Sequence, residues 1–310
     1  MAKTILVTGA SGYIDIGVAD AFDEAVKGVD GIIHTASPFV LNASDFENDL
    51  FRPAINGVVS VLRGAQKNNP GVKRIVITSS FAAHLDPDKG IRPGYTYSES
   101  DWNPVTREAA DRGDGVVAYL ASKTLAEQAA WDYVRSQKLQ FSIVTLSPPM
   151  VYGPLIHNVE KMSDLNTSAA DIYRLIDGSQ QEVPQTGFWA FADVRDGKGT
   201  LSPFAKAHVL AFEKPQAAGQ RYLISSSAYS YQQICDIIRE KFPNLRGLTP
   251  KGSPGEPLPS VYKLDTSKAV EQLGMTFRPL EKTVTDMANS LLELQKKLNG
   301  NQGGAVNGTV

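Results

Sequence analysis

Apolar runs and helical stripes alternate through the first half of the chain. Thr4–Thr8 (TILVT), Gly31–Thr35 (GIIHT), Arg74–Thr78 (RIVIT) and Phe141–Leu146 (FSIVTL) are short and almost wholly apolar. That pattern predicts strands covered on both faces, as in a parallel sheet. Between them, Phe22, Val26 and Val29 fall at i, i+4 and i+7 of ADAFDEAVKGV, which predicts a helix over Ala19–Gly28. RPAINGVVSVLRGAQKN opens with Pro53, suited to a first helical turn, and GVVAYLASKTLAEQAAWDYVRSQ is the longest and most regular helical segment. Strand and helix in alternation give an α/β fold with a doubly wound parallel sheet.

Beyond Pro148 the chain is richer in Pro, Gly, Asn and Ser and its elements shorten. Helices are expected near Ala169–Ile176, Ala205–Phe212, Tyr231–Lys241 and Leu280–Leu298, with a strand at Gln220–Ile224. The division expected is a nucleotide-binding core over residues 1–150, with smaller-lobe contributions later in the chain, a smaller substrate-binding lobe over 151–298, and a structureless tail over 299–310. Such a lobe belongs at the carboxyl edge of the sheet, where α/β folds bind their ligands.

Composition narrows the classes. The 310 residues are 42% hydrophobic and 21% charged, with a net charge of -2. This is a chain able to bury a large core, without a basic field for nucleic acid or anionic lipid. The single cysteine, Cys235, lies on an apolar helical face, which excludes an internal disulfide framework and a cysteine-based zinc site. No apolar run reaches the roughly 18 residues needed to span a bilayer, and the N-terminus enters a strand directly. The expected location is cytoplasmic, with no membrane or nucleic-acid partner.

Three features carry candidate chemistry. First, the strand at Thr4–Thr8 meets a glycine turn, Gly9-Ala10-Ser11-Gly12, the position of a dinucleotide-phosphate turn. Second, Tyr119 and Lys123 stand four apart on the long helix, so they share a face. An ammonium beside a phenol favours the phenolate and brings its pKa from near 10 toward neutrality, where it exchanges protons usefully. The pattern by itself is common. Third, Thr78-Ser79-Ser80 closes a predicted strand at its chemically used end, where a hydroxyl either polarises a carbonyl or caps a turn. Asn56 lies inside a helix, against its propensity, as a surface residue or as a buried amide with a partner. His34 and His208 read as packing or hydrogen-bonding groups, because no second metal ligand lies at the required spacing.

Eight stretches, taken in order, resemble the extended short-chain dehydrogenases/reductases, in the dihydroflavonol-reductase-like branch that contains fungal methylglyoxal and aldehyde/ketone reductases. They are LVTGASGYI, DGIIHTASPF, PAINGVVSVL, RIVITSSFAA, ESDWNP, AYLASKTLAEQAAW, SPPMVYGP and DTSKAVEQLGMTFRPLEKTVTDM. The resemblance implies a Rossmann-type fold, a small-molecule carbonyl substrate, a monomer or homodimer, and NADPH as cofactor, with NAD as the alternative. It gives Tyr119 the role of proton donor, Lys123 that of tuning Tyr119 and holding the nicotinamide ribose, Ser80 that of polarising the carbonyl, and Asn56 a place in the supporting relay. Gly9, Gly12, Tyr13, Ile14, Asp15, Thr35, Ala36, Ser37, Pro148 and Val151 would line the cofactor.

The chain departs from that pattern twice. Asp15-Ile16, a pair that the family carries after its third strand, here follows directly on Tyr13-Ile14. About two strands and two helices are thereby missing, including the helix N-terminus that grips pyrophosphate and the residues that grip the ribose or its 2′-phosphate. Weakened cofactor binding is expected. Farther on, Gly197–Phe204 interrupts the family run Asp-Val-Arg-Asp-Val-Ala-x-Ala-His and is expected to bulge as a surface loop that could disturb the following helix. The readings carried forward are an NADPH-type carbonyl reductase, a non-catalytic remnant or regulatory form of one, and a nucleotide-sugar epimerase or dehydratase.

Overall fold

A computed structural model describes residues 3–9, 18, 20–39, 43–111, 114–195 and 203–303. The apolar runs form strands β1 (Ile5–Thr8) and β2 (Gly31–His34), followed by helix α1 (Arg52–Asn68). Next come β3 (Arg74–Thr78), the two-residue β4 (Thr96–Tyr97), α2 (Arg107–Asp111), α3 (Gly115–Ser136) and β5 (Ser142–Ser147). The second half holds β6 (Met150–Tyr152), α4 (Thr167–Tyr173), β7 (Ala190–Asp193), α5 (Pro203–Glu213), β8 (Gln220–Leu223) and β9 (Ser227–Ala228). It closes with α6 (Tyr231–Lys241), β10 (Lys263–Leu264) and α7 (Leu280–Gly303).

The main sheet is five-stranded in the order β1-β2-β3-β5-β8, and every pairing is parallel. Alternate residues of its strands feed two apolar layers, as a doubly covered sheet requires. Ile32, Ile75, Ile77 and Ile143 pack with α1 and α3, while Val76, Val144, Leu146 and Tyr222 pack with α5. Residues 220–223, which lie within the stretch read as the smaller lobe, therefore form a strand of the main sheet, and α5 packs on that sheet. β1 sits at the edge, and Val7 is accordingly 49% exposed.

Two expectations are corrected. The segment predicted as a helix over Ala19–Gly28 is, over its described residues 20–28, a series of tight turns. Asp23 N bonds Asp20 O and Lys27 N bonds Glu24 O, and one bond of α-helical span, Val26 N to Phe22 O at 3.0 Å, interrupts them. Turns of the shorter kind advance about 2.0 Å per residue against 1.5 Å for an α-helix, so the short crossover reaches farther. Phe22 and Val26 are still fully buried against α1, as their spacing required. At the other end, α7 continues to Gly303, into the segment read as a tail. The inserted stretch at Gly197–Phe204 leaves α5 formed from Pro203 onward, and residues 197–202 lie outside the described ones.

A second sheet, β6-β7-β9, is wrapped by α4, α6 and α7 around Tyr152, Ile172, Phe191, Tyr229, Ile234 and Leu291. Cys235 lies in this core, its thiol pushed up to about 12 by burial, so it is a packing residue. Ser230 and Gln233 close a capping box that starts α6. Among the described residues, no helix is long and apolar enough to cross a membrane.

Candidate active site

The carboxyl ends of β1, β2 and β3 bring together most of the sequence-selected residues that the structure describes. Gly9 leaves β1 with φ of +84°, in the left-handed region that suits glycine. A Cβ there would lie 2.7 Å from Ala36 N and 2.8 Å from Thr35 Oγ1, so the close approach of the β2 end admits only glycine. Thr35 Oγ1 donates to Thr8 O at 2.5 Å, and Thr8 Oγ1 shares a 2.8 Å bond with His34 Nδ1. Thr35, Ala36 and the turn glycine thus form one packed rim. Gly12, Tyr13, Ile14 and Asp15 lie outside the described residues.

Helix α3 crosses above this rim. Asp114 starts it by accepting from Val116 N and Val117 N. Lys123 Nζ donates to Ser37 Oγ at 2.6 Å, joining α3 to the segment after β2. Lys123 Nζ also stands 5.4 Å from the centroid of the Tyr119 ring. Phe39, 48% exposed, meets that ring edge-on at 4.9 Å. Ser80 lies close enough to the Tyr119 phenol to act on its proton, and its Oγ accepts from Ala82 N at 3.1 Å. The serine is at once a turn cap and a partner of the phenol. Around them pack Phe81, Leu85, Tyr97, Leu223 and Tyr262, with Trp189 at the margin.

The electrostatics differ from the sequence expectation. Burial raises the Tyr119 phenol above its ordinary value, and the nearby Ser80 side chain only partly offsets this. Lys123 does not bring the phenol toward neutrality, because its ammonium is directed to Ser37 rather than to the phenol oxygen. Desolvation lowers Lys123 itself to about 8. A cavity of about 20 Å³, enough for one water, lies among His34, Ser37, Thr78, Ser79, Lys123 and Glu127.

Other selected residues stand apart. Asn56 is exposed on α1 and joins none of these hydrogen bonds. Pro148 accepts from Phe81 N through its carbonyl at 2.9 Å, and half-buried Val151 lines a separate cavity of about 240 Å³ with Pro154, Ile156 and Met287. His208 Nε2 shares a 2.7 Å bond with Thr78 Oγ1, a hydrogen-bonding role like that of His34.

The sequence reading passed over Glu127. It lies one turn beyond Lys123, with its side chain 1% exposed. Its carboxylate accepts from Ser79 Oγ at 2.5 Å, Thr145 Oγ1 at 2.8 Å, Trp131 Nε1 at 3.2 Å and Arg221 Nε at 2.8 Å. Arg221 continues to the carbonyls of Glu99 and Asp101, contacts His84 Nε2 at 3.2 Å and stacks 3.7 Å from the centre of Trp102. Despite its burial, Glu127 is held below the usual carboxylate range by Arg221 and these donors. The repeat Tyr119, Lys123, Glu127 at intervals of four was the available signal.

Two buried imidazoles set an acid limit on the fold. Burial lowers both His34 and His84 to about 4, against 6.5 when exposed. As pH falls below 6.5 the unfolded chain takes up protons that the folded chain refuses, so stability is lost between 6.5 and 4. Urea unfolding at pH 5 should show a stability about 2–4 kcal/mol below that at pH 7. Equal values at the two pHs would contradict neutral buried imidazoles.

Residues 13–225 match the NAD dependent epimerase/dehydratase family, and the chain belongs to it, within the extended short-chain dehydrogenases/reductases. Among its relatives is the NADPH-dependent methylglyoxal reductase GRE2 of Saccharomyces cerevisiae, 35% identical over 294 residues that cover 92% of this chain and 84% of that protein. The ketoreductase azaE of Aspergillus niger is 35% identical over 293 residues, covering 92% and 83%. The crystal structure of yeast methylglyoxal/isovaleraldehyde reductase Gre2 complexed with NADPH superposes with a TM-score of 0.84 at 34% identity, covering 91% of this chain and 83% of that one.

Proposed function

We propose that this protein reduces aldehydes or ketones with NADPH and binds that cofactor weakly. The observation that carries the reading is the placing of Ser80 beside the Tyr119 phenol, one helical turn from Lys123 and at the carboxyl end of the parallel sheet. Tyr119 donates a proton to the carbonyl oxygen. Ser80, whose Oγ already accepts from Ala82 N, directs its hydroxyl hydrogen to the same oxygen and stabilises the charge developing there. Lys123 and Ser37 hold the ribose hydroxyls beside them. The nicotinamide supplies hydride when bound. The apolar and aromatic surroundings of Tyr119 suit a small carbonyl better than a charged nucleotide sugar.

The residues present fit one half of the cofactor. The Gly9 turn packed on Ala36, and Lys123 bonded to Ser37, suit the nicotinamide ribose side. On the other side, no α-helix begins between β1 and β2 among the described residues, and the sequence lacks the long segment that follows the glycine turn in the family, which supports a weaker grip on the pyrophosphate. Losing two or more charge-assisted hydrogen bonds at about 1.5–3 kcal/mol each weakens binding by about 10²-fold or more. Fluorescence titration should therefore give a dissociation constant for NADPH far above micromolar. Micromolar binding would mean that the grip is rebuilt by other residues. No binding at millimolar NADPH would favour the non-catalytic form.

A further inference from the structure

The buried carboxylate on the same face of α3 as Tyr119 and Lys123 has a use beyond stability. Its bonds reach three neighbouring strands: Ser79 directly after β3, Thr145 in β5 and Arg221 in β8. One side chain of α3 is therefore fixed both along the helix axis and around it. Tyr119 lies eight residues toward the N-terminus on the same face, about 12 Å away at 1.5 Å per residue. The first of the three anchors, Ser79, is the immediate neighbour of Ser80. The second hydroxyl of the pair thus depends on the carboxylate as closely as the phenol does.

We infer that Glu127 is a positioning residue, which sets the register of α3 on the sheet and, through Ser79, the separation of the Tyr119 and Ser80 hydroxyls. The inference rests on the reductase reading for its kinetic consequences, and on geometry alone for its structural ones. A buried ion pair is weak evidence of stabilisation, because apolar side chains of the same volume do as well or better. What apolar packing lacks is the directional demand of three donors from outside the helix converging on two oxygens. That demand admits one rotation and one axial setting of the helix. A misplacement of about 1 Å at a reacting centre is enough to lower a rate about 10²-fold.

Ser79 separates positioning from simple support. Ser79→Ala keeps the bonds of Glu127 to Arg221, Thr145 and Trp131 and removes only the link to the strand end. With methylglyoxal as probe and NADPH near saturation, Ser79→Ala should lose about tenfold or more in kcat, while KM for either substrate stays within twofold. Ser79→Thr, which retains a hydroxyl, should recover most of the rate. A crystal structure of Ser79→Ala should show the Tyr119 and Ser80 oxygens about 1 Å or more from their separation in the unaltered protein. A kcat within twofold of the unaltered protein, together with an unchanged separation, would overturn the inference. If the unaltered protein does not reduce methylglyoxal or any other carbonyl, the reductase reading fails. The structure of Ser79→Ala then decides the positioning claim alone: a changed Tyr119–Ser80 separation upholds it, an unchanged one ends it.

Discussion

Tyr119→Phe should lower the rate of carbonyl reduction by about 10²–10⁴-fold, the usual contribution of a positioned proton donor. The substitution removes one oxygen. It preserves the ring that Phe39 meets edge-on and that packs beside Phe81 and Tyr262, so the thermal midpoint should move little. Steady-state kinetics with a small aldehyde, read beside a melting curve, make the comparison. A variant that keeps a tenth or more of the rate would take Tyr119 out of the chemistry. Lys123 gives the accompanying pH dependence. Its ammonium is lost above about pH 8 in the protein without cofactor. With that charge goes the charge assistance of the bond to Ser37, and kcat/KM should decline on the alkaline side.

Arg221→Ala should be the most damaging single change to the fold, by about 3–5 kcal/mol, because it leaves a buried carboxylate without its counter-charge. The guanidinium is 11% exposed, and its partner Glu127 1%. Its other contacts, to the carbonyls of Glu99 and Asp101 and to the face of Trp102, would be lost at the same time. Urea denaturation of the two proteins measures the difference. A loss below about 1 kcal/mol would place the pair among surface ion pairs such as Lys27–Glu24, which contribute little.

Much of this architecture could be read from the chain. Fully covered strands have to be apolar throughout, so β2, β3 and β5 announce themselves, and the four-residue spacing of Tyr119 and Lys123 fixes their shared face on any helix. Gly9 likewise follows a strand where only a positive φ serves. What stayed hidden depends on distance in sequence. Glu127 looks like an ordinary helix glutamate until Arg221, 94 residues away, closes on it. Spacing brings Lys123 near Tyr119 but does not say that its ammonium turns to Ser37, or that burial outweighs it and raises the phenol. Phe22 and Val26 show the reverse problem. Helical and tight-turn backbones both carry them into the core, and the hydrogen bonds that distinguish the two leave no mark in the hydrophobic pattern.

The marginal place of β1 has an architectural consequence. Ser80 follows β3, two strands inward, and Tyr119 is tied to the interior through Glu127. On the proposed reading, strands gained or lost outside β1 would alter how firmly a nucleotide is held and leave the alignment of the two hydroxyls in place. Grip and proton delivery become separable modules, and a lineage can trade away one while the other stays intact.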